Sequence, residues 1–247
     1  GIAISEAIEA VVKSEGKAKY ALGSVLGHVL LHQTINGNEA ILQMEQAGDY
    51  PDIIVGCTGG GSNLAGLMFP FLGQQLRGGQ KIDIIGCEPL SCPSFTKGKY
   101  AYDHGDMARM TPLIKMHTLG SDFLPPANHS GGLRYHGMSY HLSHLYDLGL
   151  MRAKAYGQKD CFEAGVIFGK QEGIIPAPEG NHAVKGAIDA ALECKEKGES
   201  KTILFNLCGH GHFDMTAYDD YFSGKLADDF YDENSANQSL SKLPEIA

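Results

Sequence analysis

The run Asp52-Ile53-Ile54-Val55-Gly56-Cys57-Thr58-Gly59-Gly60-Gly61-Ser62-Asn63-Leu64 decides the fold. Ile53 to Cys57 is a short apolar stretch bounded by the turn chemistry of Asp49-Tyr50-Pro51-Asp52, as expected of a strand covered on both faces. Glycines follow at once, and from Leu64 to Leu76 apolar residues recur at helical intervals. Ile82 to Cys87 reads as a second buried strand. Strand, glycine turn, helix and strand make a βαβ unit, which requires a parallel pair with a right-handed crossover. The theme recurs later. Residues 182–195 carry Ala183, Val184, Ala187, Ile188, Ala190 and Leu192 on a helix, 196–200 is a polar turn, and Thr202 to Cys208 reads as a strand ending in Gly209-His210-Gly211. The expected architecture is α/β, a twisted and mostly parallel sheet flanked by helices.

Working outward, residues 2–12 place Ile4, Ala7, Ile8 and Val11 on one helical face with Glu6 and Glu9 turned away. A longer helix is expected over 28–47, stopping at Gly48. Residues 89–150 are rich in Pro, Gly, His and aromatics with poor periodicity, so long loops with short helices are expected there, of the kind that serve a site. From Asp228 the chain is acidic and polar, a frayed tail. The expected division is a leading segment over 1–20, an α/β domain over 21–227 and the polar tail over 228–247.

At 247 residues and 43% apolar content the chain can bury a sizeable core. A net charge of −9 with four scattered arginines excludes a phosphate-backbone binding face, so nucleic acid is not an expected partner. The longest apolar runs, such as Leu67 to Leu72, fall far short of the ~20 residues of a membrane helix. The chain starts Gly1-Ile2-Ala3 without an initiator methionine, a basic leader or a secretory cleavage pattern, and is expected to be a fragment. Six cysteines without a C-x-x-C pair read as reduced thiols, and a cytoplasmic location is expected.

Consecutive main-chain N–H groups at Gly59-Gly60-Gly61, opening a helix, make a cradle for a phosphate dianion, to which Ser62 and Asn63 add side-chain donors. A tight strand-to-helix turn would need fewer glycines, each of which costs backbone entropy. A nucleotide-hydrolysing loop is disfavoured, because Ser62-Asn63 stands where Lys and Ser/Thr would follow. For a dinucleotide fingerprint, Glu88 at the end of the second strand would be the ribose-binding acid, but Leu64 occupies the position of the last glycine. A phosphate monoester of a smaller cofactor remains. The segment from Glu172 to His182 holds Glu179 in a rigid Pro/Gly loop; a site acid and a capping turn with Asn181 as N-cap both fit. The histidine pairs His210/His212, His141/His144 and His129/His136 match no metal motif, so no metal site is expected. Cys208, ending a strand, is either packing or a partner to a ligand at the sheet's carboxyl edge.

Four segments in order, Gly59 to Asn63, Ser130-Gly131-Gly132-Leu133-Arg134-Tyr135-His136-Gly137, Glu172 to Glu179, and Asn206-Leu207-Cys208-Gly209-His210-Gly211, resemble the β-subunit family of tryptophan synthase, in particular its second branch. The resemblance covers nearly the whole chain. It implies a fold-type II pyridoxal 5′-phosphate (PLP) enzyme that joins indole to L-serine, with this chain corresponding to the C-terminal portion and part of the N-terminal domain missing. It also implies that Gly59, Gly60, Gly61, Ser62 and Asn63 cradle the PLP phosphate and that Glu179 is the acid near the cofactor ring. By the same likeness Gly132 and Arg134 lie in the loop that approaches substrate, and Cys208, at a position usually serine, faces the pyridine nitrogen. Arg134 stands where the better-known branch carries Asp, and could clamp a carboxylate. The family's Schiff-base lysine has no counterpart among the sixteen lysines here, Lys115 included, so the chain alone is expected to be inactive. A homodimer and a monovalent cation near the 59 and 132 loops are implied, and an α-chain partner is left open. Two readings of other classes compete: a non-catalytic phosphoester-binding domain, and a nicotinamide-dependent oxidoreductase built on Glu88.

Overall fold

A computed structural model of the chain describes residues 2–228 and 230–245. Its centre is a parallel four-stranded sheet in the order β5-β2-β1-β6, formed by β1 (Ile53–Cys57), β2 (Asp83–Pro89), β5 (Arg152–Tyr156) and β6 (Ile203–Phe205). Period-two alternation sends Ile54 and Ile84 to one face and Ile53, Val55, Ile85 and Cys87 to the other, and both faces are covered. The first meets Leu64, Met68 and Phe71 of α3 (Ser62–Leu76), Leu30 of α2 (Gly27–Ala47) and Leu142 of α4 (Tyr140–Asp147). The second meets Cys161 of α5 (Gln158–Glu172) and Ala190 and Cys194 of α6 (Pro178–Lys197). Truncating Leu30, Ile54, Leu64 or Met68 to Ala would cost about 2–5 kcal/mol. The βαβ unit and the mostly parallel sheet expected from the 52–87 sequence are therefore present.

Helix α1 (Ile2–Lys13) spans the expected segment with Ile4, Ala7, Ile8 and Val11 half-buried, and no residue of it is fully buried. Among the described residues no helix is long and apolar enough to cross a membrane. All six cysteines are free thiols.

Several expectations need correction. The 89–150 region is not loops and short helices alone: it holds an antiparallel hairpin of β3 (Lys99–His104) and β4 (Leu113–Thr118). Its strands are half-exposed and carry Lys, His and Asp, which hides the alternation a sheet usually writes into sequence. Strand β5 and helix α5 carry mixed polarity and were likewise not legible. Helix α6 begins at Pro178, four positions earlier than its apolar pattern indicates, because proline at the first helical position loses no hydrogen bond. Glu179 thus sits in a first helical turn rather than a rigid loop. Asn181 lies inside that turn and is not the N-cap; its Nδ2 donates to the Tyr218 hydroxyl at 3.1 Å. Strand β6 stops at Phe205, well before Cys208.

The segment after 228 is not frayed throughout. Asp232 caps α8 (Glu233–Leu240) by accepting from the amides of Asn234 and Ser235 at 3.1 and 3.2 Å. Ala236 of α8 is fully buried against Cys92, Leu119 and Phe123. A further short helix, α7 (Met215–Phe222), packs Ala217 and Tyr218 onto Phe162 of α5.

Candidate functional site

Parallel sheets bind ligands beyond the carboxyl ends of their strands, and four of the segments singled out by sequence meet there. After β1, Thr58 donates its amide to the Cys87 carbonyl at 2.7 Å, and the chain then turns through the three glycines into α3. Gly61 holds φ of 96°, a left-handed conformation that side chains resist. At Gly59 the constraint is space: a Cβ there would lie 2.4 Å from the Gly132 carbonyl oxygen and 2.9 Å from the Leu133 Cα. The turn is thus pressed against the 132 loop, main chain on main chain. Among the described residues, the amides of Gly59, Gly60, Gly61, Ser62 and Asn63 donate to no protein acceptor. Helix N-termini carry unpaired amides and the positive end of the helix dipole, and here five successive amides at the start of a 15-residue helix are left without a protein acceptor among the described residues.

The flanking side chains are held in place. Asn206 Nδ2 donates to the Asn63 side-chain oxygen at 2.9 Å and to its carbonyl at 3.2 Å, tying the loop to the end of β6. The buried Ser62 hydroxyl lies 3.3 Å from that of Ser24. Opposite, Glu179 Oε1 accepts the Gly132 amide at 2.9 Å, so the first turn of α6 and the 131–133 turn are locked together.

Cys208 is half-buried, and its Sγ lies 3.4 Å from Sγ of the buried Cys57 at the end of β1. Leu133, Ala183, Phe205 and the two cysteines form one apolar floor. The hydrogen bond between the two thiols holds Cys208 below its ordinary value. The same bond, with burial, drives Cys57 well up.

Two expected residues behave differently. Arg134 Nη2 donates to the Pro125 carbonyl at 2.8 Å, and its Nε is buried without a protein partner; no hydrogen bond joins it to Glu179 or to the 59–63 loop. Glu88 is fully buried and accepts from the amides of Phe95 and Thr96 at 2.8 and 2.9 Å and from the Thr96 hydroxyl at 2.7 Å. It organises the 94–97 turn and is not available to a ribose, which removes the basis of the nicotinamide reading. A cavity of about 630 Å³ lined by Phe69, Leu72, Tyr100, Tyr140 and Leu145 opens elsewhere, between α3, the hairpin and α4, and includes none of the residues above.

Sequence reasoning missed Cys57, Asn206 and Ser24 as members of this neighbourhood. Asn206 was within reach, since it stands two positions before Cys208 in a segment already singled out. Cys57 and Ser24 carry no local signal.

A parallel α/β sheet with a glycine-rich turn opening a helix at its carboxyl edge is a setting in which proteins bind phosphoesters. Residues 10–209 match the family described as "Pyridoxal-phosphate dependent enzyme", and the chain belongs to that family. It is 58% identical over 231 residues to the tryptophan synthase beta chain 2 of Aquifex aeolicus, covering 92% of this chain and 53% of that protein. It is 57% identical over 226 residues to the beta chain 2 of Methanosarcina mazei (92% and 51% covered). Against the tryptophan synthase beta chain of Pyrococcus horikoshii the identity is 52% over 244 residues (99% and 52%). The chain therefore spans about half the length of the curated relatives it matches. A fungal L-serine ammonia-lyase from Rhizomucor miehei shares the fold, with a TM-score of 0.62 at 14% identity over 87% of this chain and 64% of that one.

The family's cofactor is PLP, and this chain has the chemistry to receive its phosphate. Five unpaired amides, a serine hydroxyl and an asparagine side chain surround a turn whose glycines leave no room for a Cβ.

Proposed function

We propose that the intact protein joins indole to L-serine by β-replacement, giving L-tryptophan and water, with PLP held by this chain. The observation that supports this best is the hydrogen bond between Glu179 and Gly132 at 2.9 Å, which draws the acid-bearing helix and the substrate loop together beside the unpaired 59–63 amides. In this reading the amides of Gly59, Gly60 and Gly61 hold the phosphate with the side chains of Ser62 and Asn63, and Asn206 keeps Asn63 aimed. Cys208 faces the pyridine nitrogen, and Glu179, fixed through one oxygen, flanks the ring. When bound, PLP supplies an electron sink, and a thiol at 208 in place of a carboxylate keeps that sink weak, which favours replacement at the β-carbon over racemisation or transamination. Gly132 carries the loop toward substrate, and Arg134 supplies a guanidinium for a carboxylate.

The lysine that attaches the cofactor lies, in this reading, in the part of the relatives' length that the present chain does not span. The intact protein works in the cytoplasm as a homodimer, with a monovalent cation near the 59 and 132 loops; an α-type chain is the partner class that would supply indole. Incubating the intact protein with PLP, L-serine and indole should yield tryptophan. Borohydride treatment of the 247-residue chain with PLP should leave no lysine adduct. No tryptophan from the loaded intact protein, or an adduct on a lysine of this chain, overturns the proposal. Unchanged turnover after Ser62→Ala and Asn63→Ala, with weakened phosphate binding, would instead support a non-catalytic phosphoester-binding domain.

A further inference from the structure

Cys57 and Cys208 are 151 positions apart, yet their sulfurs lie 3.4 Å from each other. The approach is built into the sheet: Val55 pairs with Phe205, and Asn206 donates its amide to the Val55 carbonyl at 3.0 Å, so the two segments run side by side to within two residues of each thiol. The sulfurs stand within about 1.4 Å of disulfide bonding distance. The other four cysteines differ. Cys87, Cys92, Cys161 and Cys194 are buried, and none of them has a sulfur neighbour within hydrogen-bonding reach among the described residues. Cys92 donates to the Tyr135 carbonyl instead.

We propose that Cys57 and Cys208 form a peroxide-sensitive dithiol, oxidised to a disulfide beneath the candidate cofactor site and reopened by a dithiol reductant. Half-buried Cys208 is the sulfur a small peroxide reaches, whereas Cys57 is 2% exposed. Cys208 attacks one peroxide oxygen as the O–O bond breaks; its sulfur is oxidised to the sulfenic acid and the other oxygen leaves with a proton as water. Cys57 then attacks that sulfur, expelling the hydroxyl, which takes the Cys57 proton and leaves as a second water. Two thiols lose two electrons and two protons, and one peroxide becomes two waters. The lowered Cys208 and raised Cys57 agree with attacking and resolving roles in that order. Reduction runs by thiol exchange through a mixed disulfide.

The bond itself needs only the sheet geometry; its effect on cofactor rests on the reading above, in which Cys208 faces the ring. Closing the bond draws that sulfur toward Cys57 and takes it from the ring, so oxidised protein should bind PLP about tenfold more weakly. Bound PLP should shield Cys208 in turn.

The test treats the intact protein, apo and PLP-loaded, with one equivalent of hydrogen peroxide, followed by intact mass and non-reducing peptide mapping. The expected result for apo protein is a loss of about 2 Da and a single cross-linked peptide pair joining Cys57 to Cys208, reversed by dithiothreitol. Cys57→Ala should leave Cys208 as a sulfenic acid captured by dimedone, and Cys208→Ser should slow peroxide consumption at least about tenfold. Two results overturn the dithiol: wild-type protein in which Cys208 proceeds to sulfinic acid without a cross-link, or cross-links that form equally well in Cys208→Ser. A cross-link forming equally fast in apo and loaded protein supports the dithiol and removes Cys208 from the ring, which separates a failure of the cofactor reading from a failure of this one.

Discussion

The loop at 59–63 and the hairpin layer at 99–137 both bury polar groups, and they treat them in opposite ways. In the hairpin layer the donors and acceptors are consumed internally. Buried Asp103 accepts from the Thr118 hydroxyl at 2.7 Å and lies 3.9 Å from His136, which meets the His104 carbonyl at 3.0 Å. Asp106 accepts from the amides of Met110 and Thr111 and from the Thr111 hydroxyl, and its carboxyl is held low. In the 59–63 loop the amides find no acceptor among the described residues. A satisfied network holds a structure together, whereas donors left without protein partners are free to meet solvent or a ligand. Two groups of the hairpin layer are exceptions: Arg134 Nε, and His117, whose two ring nitrogens are unpaired; burial lowers the pKa of that ring, which stacks on Tyr100 at 4.9 Å.

The contrast is exposed to direct tests. The severest is Gly59→Ala, whose methyl would meet main chain of the 132 loop at 2.4 Å and so cannot be relieved by a side-chain rotation. We expect a loss of stability of about 3 kcal/mol by chemical denaturation and of at least about 100-fold in PLP affinity by titration. A stable variant that keeps its affinity would break the link between the two loops.

Glu88 probes the structural side through pH. Burial pushes its carboxyl from 4.5 up to about 7, so the folded chain holds a proton that the unfolded chain has released in that window. Its stabilising contribution is full below 4.5 and falls, by about 3 kcal/mol in all, as pH rises to about 7. His182 runs the other way: burial lowers it from 6.5 to about 4, and its contribution is lost as pH falls through that range. The informative quantity is therefore the difference between wild type and Glu88→Gln across the window, measured by urea unfolding; a flat difference would refute the shift.

Thr118→Val should cost about 2 kcal/mol by stranding a buried Asp103 oxygen, with PLP affinity unchanged. Ser62→Ala should do the reverse, weakening inorganic phosphate binding about fivefold in calorimetry while stability stays within about 0.5 kcal/mol. If both variants moved both quantities, the two regions would not be functionally separate.

How much was legible in advance follows the same division. Gly59 to Asn63 stood out as a candidate ligand loop because three glycines between a buried strand and a helix exceed what a turn needs, and the strand, turn and helix are where the sequence placed them. Glu179 was recognised as a residue of interest, but its helical setting was hidden by Pro178, a residue that looks like a break yet suits a first turn. The hairpin was illegible because its strands are held by long-range polar contacts and half-exposed faces, which leave no apolar alternation to read.

Local order in this chain, the βαβ unit and its glycine turn, follows from residue type and spacing, since backbone freedom and apolar periodicity act over a few neighbouring positions. The meeting of Glu179 with Gly132, of Asn206 with Asn63 and of Cys57 with Cys208 does not, because those partners are 47, 143 and 151 positions apart. Packing of helices onto both faces of one sheet sets those distances, and no local rule in the sequence encodes them.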